Sequence, residues 1–263
     1  MEFWKIILTY LIQPLVWVGI IMAVIVYRQR LAKERRFFRI AIDRDFYEGR
    51  HFLKTAIFGL VVGSIISLLA GLMLTFGTIV FIEAVAILAV LLLPLGDLSL
   101  AALWLAVLLT NLLNLTNLTS FSLGTFALSF SGSMLPASGL LLLGIYFIIR
   151  AFLLHYNKST WFTPKVKSGK RGRRVAFYNW KEFSVIPLIL LVPTNVFESQ
   201  WSFWPVLSFN GHSFGLFILP LLVAASLKVF KEEPQVILDN FYKQSITLGI
   251  CSIIAAGISA FYP

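Results

Sequence analysis

Apolar residues gather into long runs along the chain, and short polar breaks divide one run from the next. A helix needs roughly 20 apolar residues to cross a bilayer. Read on that scale, the runs predict helices over 6–27, 55–75, 78–93, 99–116, 138–155, 184–197, 214–230 and 244–262. Gly77 divides the second from the third, and Pro94-Leu95-Gly96-Asp97 divides the third from the fourth. The sixth is short and holds Pro187 and Pro193, which predicts a kinked or oblique segment. The expected fold is all-α: a polytopic bundle of about eight transmembrane helices, forming a single transmembrane domain over 1–263.

Composition supports membrane insertion, and charge adds an orientation. Hydrophobic residues make up 59% of the 263 positions and charged residues 13%, with a mean hydropathy of +0.87. A water-soluble domain carries about a quarter charged residues. The first apolar run is long enough to span, and its basic cluster follows it, so it does not read as a cleaved signal peptide. Residues 28–54 hold nine Lys/Arg against four Asp/Glu, and 156–183 hold eight against the single Glu182. Residues 228–243 hold three of each, so these segments contain 20 of the 22 Lys/Arg. Eight spans put all three on one side, which the positive-inside rule assigns to the cytoplasm. The opposite loops, 117–137 and 198–213, hold no Lys or Arg. The expected location is the cell membrane, multi-pass, with both the N-terminus and Pro263 outside.

The two basic cytoplasmic segments, 28–54 and 156–183, are the first candidates for function. In RQRLAKERRFFRIAIDRDFYEGR, Leu31, Phe38, Ile42 and Phe46 recur at helical spacing, with Arg30, Arg36, Arg39 and Arg44 on other faces. That pattern suits a helix lying on the membrane surface or facing a protein partner; a plain extension of the first span fits equally well. The stretch KVKSGKRGRRVAFYNW, 165–180, would meet anionic headgroups at about 1 kcal/mol per basic residue. It is not a phosphate-cradling loop, because Gly169-Lys170-Arg171 lacks both the following Ser/Thr and the earlier glycine. Phe177, Tyr178 and Trp180 could stack bases. They precede a predicted span, however, where aromatics anchor at headgroup level, so nucleic acid is not an expected partner. The expected electrostatic contacts are Arg35, Arg36, Arg39, Lys170, Arg171, Arg173 and Arg174, with Leu31, Phe38, Ile42 and Phe46 supplying an apolar face.

Catalytic constellations are missing from the sequence. No HExxH occurs, and His51, His155 and His212 fall in separate regions. The turn Ser131-Gly132-Ser133 lacks the glycine two residues before a rhomboid-type nucleophile, and no two carboxylates face each other within predicted spans. The lone Cys251 excludes an intrachain disulfide and a cysteine-based metal site. No enzyme, cofactor or metal site is expected. Glu83 is the one carboxylate well inside a predicted span, and intramembrane acids are candidate polar sites. With the Asn/Thr-rich segment 111–125 it leaves a small-solute or ion transporter as the alternative function, although such residues also join helices in lipid. No inverted repeat of the transporter kind is visible. In WSFWPVLSFNGHSF, 201–214, Asn210-Gly211 is a two-residue hairpin signal, which predicts an aromatic hairpin at the outer interface.

The later half reads as a basic K-S-G-K-R-G-R-R loop, then F-S-V-I-P-L-I-L-L-V-P, then W-S-F-W-P-V-L-S-F-N-G-H-S-F-G-L-F-I-L-P. With the R-x-R-x-x-K-E-R-R run after the first span, this order resembles the membrane region of the MinJ-type cell-division topology proteins of Gram-positive bacteria. In that family a multipass membrane region precedes a cytoplasmic PDZ domain, and the proteins link a polar coiled-coil protein to the MinCD division inhibitor. The resemblance therefore implies a non-enzymatic membrane scaffold or adaptor in cell-division site placement, with membrane lipids and cell-division proteins as partners. The chain departs from the family in showing no PDZ-like segment of alternating strands. That suggests either a membrane-only portion of a longer protein or a stand-alone relative.

Overall fold

Pro14 divides the first apolar run in two. In the computed structural model, which describes residues 3–39, 46–74, 76–92, 98–115, 120–123, 126–129, 136–155, 163–168, 174–193, 206–209, 212–229 and 233–261, α1 covers Phe3–Ile12 and α2 covers Pro14–Phe38. Gln13 between them is extended, and Pro14 opens α2, where its missing N–H costs nothing. α2 continues well past the predicted end of the first span, so residues 28–38 are a helical extension of it. Next come α3 (Tyr47–Phe58), one π-helical turn (Gly59–Gly63) and α4 (Ser64–Leu69), in direct succession. The remaining helices are α5 (Phe76–Leu92), α6 (Ser99–Leu115), α7 (Pro136–His155) and α8 (Pro234–Phe261).

The expectation of an all-α bundle of about eight spans is wrong. Among the described residues, four helical stretches are long and apolar enough to cross a membrane: Pro14–Arg36, Tyr47–Leu69, Ala137–His155 and Pro234–Ala260. α5 and α6 are apolar but only 17 residues each. The predicted spans 184–197 and 214–230 are not helices where they are described: they belong to strands. β4 (Arg174–Pro193) pairs antiparallel with β6 (His212–Val229), flanked by β3 (Thr163–Ser168) and β5 (Val206–Phe209) in the order β3-β4-β6-β5. A separate two-stranded ribbon joins β1 (Ser120–Leu123) to β2 (Phe126–Ser129).

The prolines explain why these apolar runs are strands. In the β4–β6 ladder Pro187 lies opposite Pro220, and Pro193 lies opposite Phe214. The backbone of β4 at Ile189 and Leu191 points away from β6, since Ile189 N–H donates to Ser64 Oγ at 3.0 Å and Leu191 N–H to the Leu72 carbonyl at 3.4 Å. β6 behaves alike: Ala224 N–H donates to Ser99 Oγ at 3.2 Å, and the Ile218 carbonyl accepts from Gln13 Nε2 at 2.8 Å. Alternation in an antiparallel ladder places Pro187, Pro193 and Pro220 in the same outward-facing set. Each proline therefore lacks a donor only where no strand would receive it, whereas in a helix each would remove a ladder bond. Lipid offers no water to an exposed strand edge. The helices supply Ser64, Ser99 and Tyr146 to these edges instead, the link between α1 and α2 supplies Gln13, and Tyr146 Oη lies 2.7 Å from Ser99 Oγ.

The stretch Tyr47–Leu69 shows how helix and hairpin fit. His51, Thr55, Gly59, Gly63 and Ser67, spaced by four, are buried, whereas Leu53, Ile57, Val61, Ile65 and Leu68 are exposed. This reverses the amphipathicity of a soluble helix and suits an apolar solvent outside. Four helical residues rise about 6 Å, nearly the reach of two strand residues, about 6.6 Å. Alternate residues of β4 accordingly meet successive turns. Glu182 lies against His51, and Ser184 Oγ donates to the Phe52 carbonyl. A Cβ placed on Gly59 would sit 2.1 Å from Ile186 Cγ2, and one on Gly63 3.1 Å from Leu188 Cδ1. α7 and α8 pack closely through Gly144 and Gly249. Interfaces of this kind are typical between helices in membranes.

Candidate functional site

The two basic segments picked out in the sequence meet in the fold. α2 contacts β3 and β4, and α3 contacts β4, so the described parts of 28–54 and 156–183 come together at one basic end. Two buried polar groups tie that end together. The first centres on Arg30. Its Nε donates to Glu48 Oε1 at 2.7 Å and its Nη2 to Glu48 Oε2 at 3.3 Å, a two-pronged contact joining α2 to α3. Its Nη1 reaches Glu34 Oε1 one helical turn on, at 3.4 Å. The guanidinium also lies 4.4 Å from the Tyr47 ring centroid and 5.5 Å from that of Tyr27. Arg30, Glu34 and Glu48 are all buried, so planar, bidentate pairing is what makes their desolvation tolerable.

The second group joins the segments directly. His51 Nδ1 stands 3.0 Å from both carboxylate oxygens of Glu182, and both side chains are buried. Burial pushes the Glu182 carboxyl above its ordinary pKa, and the hydrogen bond from His51 opposes that shift. The fully buried Trp180 precedes Glu182 on the same face of β4. Sequence reasoning missed Glu34, Tyr47, Glu48, His51 and Glu182 as site residues. One signal was available: Arg30 and Glu34 are four apart on one helix face, and Glu182 is the only acid in its segment.

The residues expected from the sequence are partly assembled. Arg35 and Arg36 are exposed in the last turn of α2, and Arg39 closes that helix in the left-handed conformation, φ 59°, with its N–H on the Arg35 carbonyl. Leu31 is half-buried on α2. Phe46 precedes α3, exposed, with its ring edge-on to Tyr27 at 5.0 Å. Arg174 opens β4 opposite Ser168. Ile42, Lys170, Arg171 and Arg173 lie outside the described residues, as does the side chain of Phe38 at the end of α2. The expected apolar face of Leu31, Phe38, Ile42 and Phe46 is therefore described only at Leu31 and Phe46. β5 and β6 pair with Phe209 opposite His212, as the Asn210-Gly211 signal predicts, while those two residues lie outside the description.

Glu83 stands apart from this end, partly exposed on α5, and its Oε1 is buried with no hydrogen-bond partner among the described residues. Among the described residues no group of three or more His, Cys, Asp or Glu is placed to hold a metal ion.

Over 260 residues, 96% of its length, the chain is 24% identical to the cell division topological determinant MinJ of Bacillus subtilis (strain 168). The similarity to MinJ is distant. The chain spans 63% of the length of that protein. No family model matches the chain, and no solved structure matches it.

Proposed function

We propose that this chain is a non-enzymatic membrane scaffold that helps place the cell-division site. The observation carrying this reading is the similarity to a cell-division topological determinant over nearly the whole chain, and the joined basic end gives it a surface to work through. If the four long helices cross in alternation, 28–54, 156–183 and 228–243 all lie on one side. Their Lys and Arg make that side the cytoplasm, with the start of α2 outside. On this reading Arg35, Arg36, Arg39 and Arg174, with Lys170, Arg171 and Arg173 in the same segment, meet anionic lipid and cell-division proteins. The buried Arg30–Glu48 and His51–Glu182 contacts hold the two segments in one arrangement, so partners meet a composite surface and not two independent loops.

The test is the location of a fluorescently tagged chain in dividing rod-shaped Gram-positive cells. Enrichment at septa and poles, lost when Arg35, Arg36 and Arg39 are changed to Gln, is the expected result. A uniform membrane signal from the unaltered chain would refute the reading.

A further inference from the structure

We infer that the outer face of α3 carries a binding site for an anionic phospholipid, with its phosphate between Arg50 and Lys54 and an acyl chain along Leu53, Ile57 and Val61. Arg50 and Lys54 are one turn apart and both exposed. Leu53, Ile57 and Val61 are more than half exposed and continue the same face of the helix, along the stretch whose opposite face buries His51, Thr55, Gly59 and Gly63. The two kinds of residue thus stand in the order of a lipid's own parts, charged head first and apolar tail after.

Depth decides between a lipid and a soluble anion. The apolar stretch Tyr47–Leu69 has 23 residues, about 34 Å of helix against a hydrocarbon layer of about 30 Å. Lys54 is seven residues into that stretch, about 10 Å along it, with exposed Leu53 and Ile57 beside it. A cation there is costly unless its flexible stem carries the ammonium back towards the interface. The group waiting at that level is a lipid phosphate, already concentrated in two dimensions. A guanidinium and an ammonium on one face supply charge and donors to it. This rests on the membrane reading above but not on the division role: lipid retention is read on the purified chain, and septal location in the cell, so either can fail alone.

The full chain is purified in detergent, and retained phosphatidylglycerol and phosphatidylcholine are measured by native mass spectrometry. Changing both Arg50 and Lys54 to Gln should lower the retention of phosphatidylglycerol relative to phosphatidylcholine about 30-fold, equivalent to about 1 kcal/mol for each of two basic residues. Changing Arg28 and Lys33 to Gln, both exposed on α2, removes the same charge outside the proposed site and should leave the ratio near that of the unaltered chain. On the unaltered chain, phosphatidylglycerol with a photoreactive tail should crosslink to the peptide holding Leu53, Ile57 and Val61 more than its phosphatidylcholine counterpart does. That measurement decides the matter if the double variant fails to fold. Equal crosslinking by the two lipids, an equal fall in both variants, or displacement by inorganic phosphate at the potency of the lipid would each overturn the site.

Discussion

Gly59, in the π-helical turn after α3, packs tightly against the strand hairpin, and replacing it with alanine tests that packing. An added Cβ would stand 2.1 Å from Ile186 Cγ2, 3.2 Å from its Cβ and 3.3 Å from its Cγ1. Carbon atoms in contact prefer about 3.5–4.0 Å, so a gap of roughly 1.5 Å must open. Ile186 cannot easily provide it. Its side chain branches at Cβ, so turning about χ1 brings another carbon into the same place. The residue is fully buried and its backbone is paired with Leu221. Overpacking of this kind costs about 1–3 kcal/mol, offset by up to about 1 kcal/mol for alanine's better helix propensity. Gly63 is the internal control, since its added Cβ would first meet Leu188 Cδ1 at 3.1 Å, the far end of a flexible side chain. G63A should be close to neutral, and G59A should lie about 1–2 kcal/mol below it. Thermal unfolding in detergent micelles, followed by tryptophan fluorescence, would show this as a fall of a few degrees. The change I186A creates a cavity and should cost about 2–5 kcal/mol alone. The double variant should be less destabilised than the sum of the singles, by about 0.5–3 kcal/mol. Strict additivity, or equal stability of G59A and G63A, would show that β4 does not run against this helix and would refute the reasoning.

Removing His51 strands the Glu182 carboxylate, so H51L should lower stability by about 3–5 kcal/mol, and H51L/E182L should recover part of it; denaturant unfolding of the three chains checks this. The folded pKa of Glu182 lies above its unfolded value, so the folded chain keeps a proton that the unfolded chain gives up. The stability of H51L should therefore be greatest at or below about pH 4 and fall as pH rises through the folded pKa; unfolding midpoints measured at several pH values would expose the opposite trend. R30K should behave nearly as badly as R30Q, because an ammonium cannot reproduce the two-pronged contact with Glu48. A well-folded R30K with unchanged thermal stability would contradict that geometry. S99A leaves the Ala224 N–H without its hydroxyl acceptor and should cost about 1–3 kcal/mol, read from thermal unfolding beside Y146F, which keeps that acceptor.

Helix existence was legible wherever an apolar run was bounded by its own punctuation. α5, α6 and α7 lie close to their predicted positions, whereas the final helix begins ten residues before 244 and the break at Pro14 was read through as one helix over 6–27. The hairpin was misread because its runs are apolar on both faces. A strand buried on both sides loses the alternation that normally betrays it, and length alone cannot separate such a run from a short helix. The discriminating signal was Pro187, Pro193 and Pro220 together. Three prolines in two short runs are awkward for helices but fit outward-facing positions of paired strands. The four-residue spacing of His51, Thr55, Gly59, Gly63 and Ser67 was likewise present in the sequence as a small and polar stripe, although its partner strand was not. The basic end was legible as two charge clusters. Their union through His51 and Glu182, 131 positions apart, depends on how β4 lies against α3, and no local pattern encodes that.

The central claim, a role in placing the division site, is tested most directly by septum position in cells from which this chain has been deleted. Septa displaced from mid-cell, and restored by the unaltered chain but not by one with Arg35, Arg36 and Arg39 changed to Gln, are the expected result. Septa that stay at mid-cell in the deleted strain, at the frequency of the parent, would contradict it.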